Sequence, residues 1–373
     1  MHTLTIRWTL SLLLFLLPLT LFSENDRRFE NRNIPQWIKK QVKHEFAAFE
    51  GKKITKKNLD VYYDEIPDNA GIYSFLIKDN RVYVKGKCER PNILERSRVV
   101  YEFLSQLCNL VEIPNVEFMV ALEDACDCQK QKVPLLVFAK KKSCSHQVAI
   151  PDFEAMMGYV DLTRRVNEAG GNWPWNSKSE ICFWRGATTG GIYNLDNWRS
   201  IGRTRLVLLS LDYPELLDCR FTSLCQGAEN NPEMNAMPQL LSGSVSPEAS
   251  LQYKYLVDID GNTCGYQRLY WTLLSNSVVF KQMTENYQWY YSALKPFVHY
   301  IPVAEDMSDL VEQILWAKEN DNLARWIAGN ATEFANTHLR LSDSQQYVYW
   351  VLKKYSKLQG FKPVLDKNEY RSY

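Results

Sequence analysis

Ten consecutive residues, Tyr253-Lys-Tyr-Leu-Val-Asp-Ile-Asp-Gly-Asn262, restrict the fold of this chain more than any other stretch. A β-prone apolar run ends in a Gly-Asn turn, a short helical pattern carrying Arg268 follows, and a second apolar run, Ser277-Val-Val-Phe-Lys281, closes the segment. Together they describe a β-turn-α-β unit, and in such units the turn that leaves the strand faces a ligand. A nucleotide is the ligand such a turn is built to receive.

The chain of 373 residues is long enough for about two domains. With 46% hydrophobic residues and 11 Trp, 21 Tyr and 16 Phe, it has ample material for their cores. A formal charge of +1 supplies no general field for nucleic acid, so any anion must be met by arginines placed locally. Nucleic acid is therefore not an expected partner.

Met1 to Phe22 carries a sparse basic start (His2, Arg7) and an apolar core from Trp8 to Phe22 interrupted by Pro18. This length suits a secretory signal peptide better than a membrane span, with an uncleaved anchor as the alternative. The secretory pathway, a periplasm or a membrane surface is the compartment this implies. Nine cysteines leave at least one unpaired in an exported chain. Cys126, Cys128, Cys144 and His146 form the tightest cluster, open to a disulfide, a structural metal or unrelated thiols.

The rest of the sequence alternates in the manner of an α/β protein. Residues 24–60 read as a charged lead-in with a helix from Trp37 to Phe49, and Val99, Val100, Phe103, Leu104 and Leu107 mark a helix between Asn92 and Leu107. Strands are expected at Val116–Leu122 and Val133–Ala139. Gly170–Lys178 is the candidate linker. Beyond it come strands at Glu180–Trp184, Tyr253–Ile259, Ser277–Lys281 and Phe297–Pro302, with helices at Arg203–Leu211, Tyr266–Leu274 and Ser308–Lys318. The expected division is 1–23 targeting segment, 24–175 first domain, 176–342 second domain, and 343–373 closing helix and tail, with a surface loop over Glu229–Ser250.

Several clusters carry chemistry. Arg185-Gly-Ala187 leaves a strand among small residues that let a phosphate approach the backbone. Arg203 and Arg205 open a helix, where positive charge opposes the macrodipole unless an anion bridges them. Arg268 stands similarly after Gly261-Asn262, so the three arginines suggest one diphosphate held by guanidinium forks. Asp258 and Asp260 offer the competing possibility of a divalent metal under that diphosphate. Asp124, at the end of a strand, is placed as a general base or as part of a solvated acidic turn. His299 reads as a core or cleft residue, and Asn330-Ala-Thr332 as a glycosylation sequon within a helical pattern.

In the order Trp173-Pro-Trp175, Phe183-Trp-Arg-Gly186, Leu206-Val-Leu-Leu-Ser210, Pro214 to Asp218, Tyr253-Lys-Tyr-Leu256, Asp260-Gly-Asn262, Arg268, Ser277-Val-Val-Phe280 and Leu294-Lys-Pro-Phe-Val-His-Tyr-Ile-Pro-Val303, the second half resembles the protein O-glucosyltransferase and capsule-associated-protein family, glycosyltransferase family 90. Through Ile113-Pro-Asn-Val-Glu117 the likeness extends over roughly residues 75–355. It implies a GT-B fold, two facing Rossmann-like domains, and an inverting transfer of a hexose or pentose from a nucleotide sugar, expected to be UDP-linked. The acceptor would be a hydroxyl of a glycan, lipopolysaccharide or protein. No metal or cofactor is implied beyond the donor itself. Carried over residue by residue, Asp124 is the catalytic base, Pro151 and Asp152 lie on the acceptor side, and the donor is met by Arg185, Gly186, Ala187, Arg203, Gly261, Asn262, Thr263, Cys264, Gly265, Tyr266 and Arg268. The chain departs from the pattern where Ala187 replaces a serine of the animal enzymes, where the turn up to Arg268 is one residue longer, and where Gln288 replaces an acidic residue. A non-catalytic sugar- or nucleotide-binding protein on the same scaffold is the rival reading.

Overall fold

The computed structural model describes residues 29–30, 33–128 and 132–373, so the signal or anchor expected at Met1–Phe22 lies outside the described residues. Internal contacts divide the chain into two compact units, one of residues up to Leu122 with Lys130–Leu136 and Gln345–Tyr373, the other of Glu123–Gln129 with Val137–Ser344.

In the first unit, β1 (Ile72–Lys78) lies between β2 (Arg81–Gly86) and β3 (Val116–Ala121), antiparallel to both. Asp79 and Asn80 join β1 to β2 with φ of 50° and 58°. Two positive-φ residues make the mirror-image turn whose twist matches a hairpin, and Asp and Asn are the side chains that tolerate it best. The helix Pro91–Leu110 buries Val100, Phe103, Leu104 and Leu107, as its spacing predicts. The helix at the N-terminus ends at Glu45 and continues as a single tight turn over Ala47–Phe49. Of the strand expected at Val133–Ala139 only β4 (Leu135–Val137) forms, and the closing helix runs Leu341–Leu358.

The second unit contains two-residue β5 (Lys140–Lys141), β6 (Gln147–Ala149), β7 (Ser179–Gly186), β8 (Leu217–Phe221), β9 (Tyr253–Asp258), β10 (Val278–Gln282), β11 (Asn286–Tyr287) and β12 (Ile301–Val303). Its main sheet has the order β12-β10-β9-β7-β8, and every pairing in it is parallel. β9 and β10 are buried along almost their whole length, which explains why they read as continuous apolar runs. Chain order turns back between β7 and β9, because β8 lies on the far side of β7. In an open parallel sheet that switch leaves a crevice beyond the strands' C-terminal ends.

The Gly170–Lys178 stretch falls inside this second unit. Trp175 is buried there, and its indole N–H donates to the Asp321 carboxylate at 3.0 Å. Glu229–Ser250 includes two single-turn helices capped by Asn231 and Ser246. The last strand is shorter than Phe297–Pro302 and shifted to Ile301–Val303. His299 accepts a hydrogen bond from the Lys295 amide at 3.0 Å, and burial pushes its imidazole down to about 4, so it is a satisfied packing residue. Asn330 sits in the middle of the helix Asp321–His338 with its amide nitrogen buried, while the Thr332 hydroxyl bonds Leu273 and Asn276. The sequon is a packing element of the folded unit. Among the described residues no helix is long and apolar enough to cross a membrane.

Candidate functional site

A polar cleft of about 550 Å³ opens at the C-terminal edge of the parallel sheet, at the β7/β9 switch. Thr189 and Gly190 after β7, Gly261 and Asn262 after β9, Thr284 and Asn286 after β10, and Glu305 and Asp306 after β12 contribute to its wall. So does the start of the helix Gly202–Asp212, which has neither a side-chain cap nor an acidic residue in its first turn. Its first amide N–H groups are therefore donors without an intrahelical acceptor, facing a cleft, which is an anion-binding arrangement.

Gly190 and Gly261 let the two loops meet. Gly190 holds φ of 101°, and a Cβ there would lie 3.2 Å from the Gly261 carbonyl oxygen. A Cβ on Gly261 would come within 2.8 Å of the Arg203 guanidinium. Asn262 ties the loops together by accepting from the Gly190 amide at 3.4 Å and the Gln226 amide at 2.9 Å.

Arg203 donates to the carbonyls of Asp260 and Ala187, both at 2.9 Å, and no carboxylate lies within salt-bridge distance among the described residues. Burial, with Arg268 nearby, pushes its guanidinium down to about 10. A buried cation that meets only neutral carbonyls is stabilised by an arriving anion. Arg205 also borders the cleft but already pairs with Asp306 at 3.6 Å.

The other arginines are placed differently. Arg185 makes a two-pronged pair with Asp218, both contacts at 2.8 Å. Arg268 donates to the Arg185 carbonyl at 2.6 Å, and it lines, with Arg185, Trp184 and Trp271, a separate cavity of about 230 Å³. Its guanidinium is held below the usual range by burial. Both Arg203 and Arg268 approach the ring of Trp184, at 5.4 and 5.6 Å, so they are neighbours, but only Arg203 opens onto the larger cleft. Gly186 packs against Trp184, and Gly265 against the Asp258 carboxylate.

The two aspartates of the turn are both engaged. Asp258 is fully buried and accepts from the Lys281 ammonium at 3.1 Å. Burial alone would lower the Lys281 pKa, but Asp258 and Asp260 outweigh it and hold the ammonium above the usual range. Asp260 accepts from Thr284 at 2.5 Å and Asn286 at 2.8 Å, and burial raises its pKa.

Asp124 joins this region through its main chain. Its carbonyl accepts from the Thr263 hydroxyl at 2.9 Å and the Tyr266 hydroxyl at 2.7 Å. Tyr266 adopts φ of 45° to do so, a backbone strain of the kind that concentrates at functional sites. The segment after Asp124 is held twice more. Gln147 donates to the carbonyls of Cys126 and Asp127 at 3.1 and 3.0 Å, and Cys128 is disulfide-bonded to Cys144. That bond removes the metal reading of the cysteine cluster, since two of its four ligands are joined to each other; Cys126 stays a thiol. Cys264 is buried beneath the turn.

Pro151 and Asp152 are buried. Asp152 caps the helical turn Phe153–Met156, accepting from the amides of Glu154 and Ala155 at 3.0 and 3.1 Å, and the Gln288 amide approaches it at 3.4 Å. Burial pushes the Asp152 carboxyl up to about 6. Sequence reasoning did not single out Lys281, Thr284 or Asn286. The apolar run that ends in Lys281 was itself the available signal, because a strand's C-terminal end in such a sheet points at the crevice.

A parallel sheet that turns back in this way is the open α/β architecture in which ligands bind in the crevice beyond the strands' C-terminal ends. The chain belongs to glycosyl transferase family 90, whose family model matches residues 30–371. It is similar to human protein O-glucosyltransferase 3 (29% identity over 340 residues, 87% of this chain and 62% of that protein). It is similar also to zebrafish (Danio rerio) protein O-glucosyltransferase 2 (31% over 304 residues, 78% of this chain and 56% of that protein). Human protein O-glucosyltransferase 1 matches at 27% over 307 residues, 77% of this chain and 72% of that protein. The chain thus spans about three fifths of the length of the first two relatives.

Proposed function

We propose that this protein is an inverting glycosyltransferase that moves a sugar from a UDP-linked donor to a hydroxyl of a protein or glycan acceptor. The observation that carries the reading is Arg203: a buried guanidinium without a carboxylate partner among the described residues, beside an uncapped helix N-terminus, on the wall of the cleft at the sheet's switch point. A diphosphate would satisfy both the guanidinium and the free amides. Membership of family 90 and similarity to the protein O-glucosyltransferases support the choice of transfer over mere binding.

In this scheme the Asp124 carboxylate takes the proton of the acceptor hydroxyl as its oxygen bonds the anomeric carbon. The bond from that carbon to the diphosphate oxygen breaks on the opposite face, and the diphosphate leaves with the electron pair, stabilised by Arg203 and the helix amides. The Thr263 and Tyr266 bonds to the Asp124 carbonyl tie the base to the donor turn. Metal-independent transfer is favoured by the engagement of Asp258 with Lys281 and of Asp260 with Thr284 and Asn286. Titration calorimetry with UDP and UDP-glucose on the full chain, together with an assay for donor hydrolysis without acceptor, tests the reading. Binding with slow hydrolysis is expected, and absence of binding overturns it.

A further inference from the structure

The first unit carries a face on which nearly every charge is positive. From Asn33 to Lys57 the chain has seven lysines, no arginine and two glutamates, and from Val351 to Pro363 it has four lysines and no acidic residue. The whole chain has a formal charge of +1, so the remainder is net acidic and the molecule is polarised. The helix Gln36–Glu45 buries Ile38, Gln41, Val42 and Glu45, and Glu45 accepts from Gln41 on that inner side. Lys39, Lys40 and Lys43, about one turn apart, share the outer side with no acid among them. Lys56 is paired with Asp60 and Glu117, at 2.7 and 2.8 Å. Lys52 and Lys53 instead meet the carbonyls of Ala48 and Lys357, at 2.7 and 3.1 Å, and among the described residues Lys39, Lys40, Lys43 and Lys57 meet no carboxylate. An ordinary solvated face differs: on the helix Val160–Gly170, Arg164 and Arg165 engage Asp161 and Glu168 of the same helix. The elements that carry the lysines are packed together. Trp37 stacks on Tyr347 and Phe46 meets Tyr355 edge-on, at 6.3 and 6.2 Å between ring centres, and the Ile54 amide donates to the Leu358 carbonyl at 2.8 Å.

We infer that this face docks on an anionic phospholipid bilayer. The chain enters the fold beside it: the Phe29 ring packs against Tyr349 at 5.1 Å, and the Lys353 ammonium lies over the same Tyr349 ring at 5.2 Å. Six residues, Ser23–Arg28, separate Phe29 from the apolar stretch that ends at Phe22. A segment of that length spans at most about 22 Å, so the apolar stretch, retained in a bilayer, would hold this face close to the headgroups. Clusters of roughly four to eight lysines beside an apolar segment are attracted to anionic headgroups in this way, over a range of about one Debye length. The use of lysine alone favours a charged surface over one phosphate or sulfate group. Ammonium groups act as point charges, and they lack the planar fork with which a guanidinium grips a single anion.

The test is co-sedimentation of the full chain with two kinds of vesicle, phosphatidylcholine alone and phosphatidylcholine with roughly one-third phosphatidylserine. The neutral vesicles measure whatever the apolar stretch contributes. At low salt the anionic vesicles are expected to bind at least about tenfold tighter, and about 0.5 M NaCl should bring the ratio below about threefold. The triple variant Lys39→Glu, Lys40→Glu, Lys43→Glu alters only the outer side of one helix. It should abolish the preference while binding to neutral vesicles and affinity for UDP each stay within about twofold. Equal binding of the two vesicles by the wild-type chain overturns the proposal, as does a preference that survives the triple variant or is insensitive to salt. Retention on heparin without any preference between the vesicles marks a site for a soluble polyanion and overturns it too. The wild-type ratio and its salt dependence decide the matter even if the variant does not fold, and UDP binding, read separately, is untouched by the outcome.

Discussion

The two edges of the parallel sheet treat buried cations in opposite ways. At the N-terminal edge, Lys178 donates to the Leu251 and Ser275 carbonyls and the Ser277 hydroxyl at 2.6, 3.2 and 2.9 Å, so all three of its donors are matched. Lys254 beside it pairs with Glu180 and Asp321, both at 2.9 Å. At the C-terminal edge, among the described residues, Arg203 has no carboxylate, Lys281 keeps donors to spare, and the buried oxygens Asp258 Oδ1 and Asn286 Oδ1 have no partner. Buried polar groups are ordinarily paired, and each exception needs a cause. The cations of one edge are matched by the protein's own residues, and those of the other keep donors for a ligand.

The largest expected effect breaks the catalytic half of this contrast. Asp124→Asn keeps the Thr263 and Tyr266 bonds, which go to the main-chain carbonyl, but cannot take a proton. Transfer should fall by about 10²–10⁴ with UDP affinity within a few-fold. Transfer near the wild-type rate, measured by donor consumption in the presence of acceptor, would remove Asp124 from the role of base.

Asp258→Asn asks whether the turn's carboxylates hold a metal or a lysine. Leaving the Lys281 ammonium buried without its partner should cost roughly 3–5 kcal/mol of stability in denaturant unfolding. Activity of the wild-type protein should survive EDTA. Reversible loss of turnover in chelator, at an unchanged melting temperature, would move the mechanism to the metal-assisted class.

Arg203→Ala should weaken UDP binding by about 1.5–3 kcal/mol, the value of a charge-assisted hydrogen bond. Arg185→Ala provides the control within the same sheet: with its guanidinium committed to Asp218, its removal should lower the melting temperature and leave UDP affinity nearly unchanged. If calorimetry ranks the two the other way, the diphosphate lies against Arg185 and Arg268 in the 230 Å³ cavity.

What could be read in advance follows from how local each signal is. β9, β10 and the helix Gly202–Asp212 were legible because burial on both strand faces and an arginine-led apolar helix leave a continuous pattern. The β1–β2 hairpin passed unread although Asp79-Asn80 was its signal, since Asn-Gly and Asp-Gly are the commoner marks of that turn. Three arginines near turns looked like one grip. The sequence does not say that Asp306 would pair with one of them, Arg205, or that Asp218, 33 residues from Arg185, would engage that fourth arginine. Nor does spacing reveal that Thr263 reaches Asp124 across 139 residues, a contact set by the folded sheet.

The smallest effect concerns the N-terminal edge. Lys178 has no carboxylate partner among the described residues, and burial pushes its ammonium from 10.5 down to about 8. Between those values the unfolded chain holds a proton that the folded protein has released, so unfolding free energy rises with pH across that window. Lys178→Met loses this proton linkage along with three hydrogen bonds. The lost hydrogen bonds add a roughly constant offset, whereas the linkage adds a slope of at most about 1.4 kcal/mol per pH unit to the difference between wild type and variant. Denaturant melts of both proteins at intervals from pH 7.5 to 10.5, a range spanning that shift, measure it, and all other titrations cancel in the difference. A difference that grows with pH identifies Lys178 as a cation held only by neutral oxygens. A flat difference would mean that it stays charged throughout, as Lys281 does beside Asp258, and the contrast between the edges would then lie in their unpaired acceptors alone.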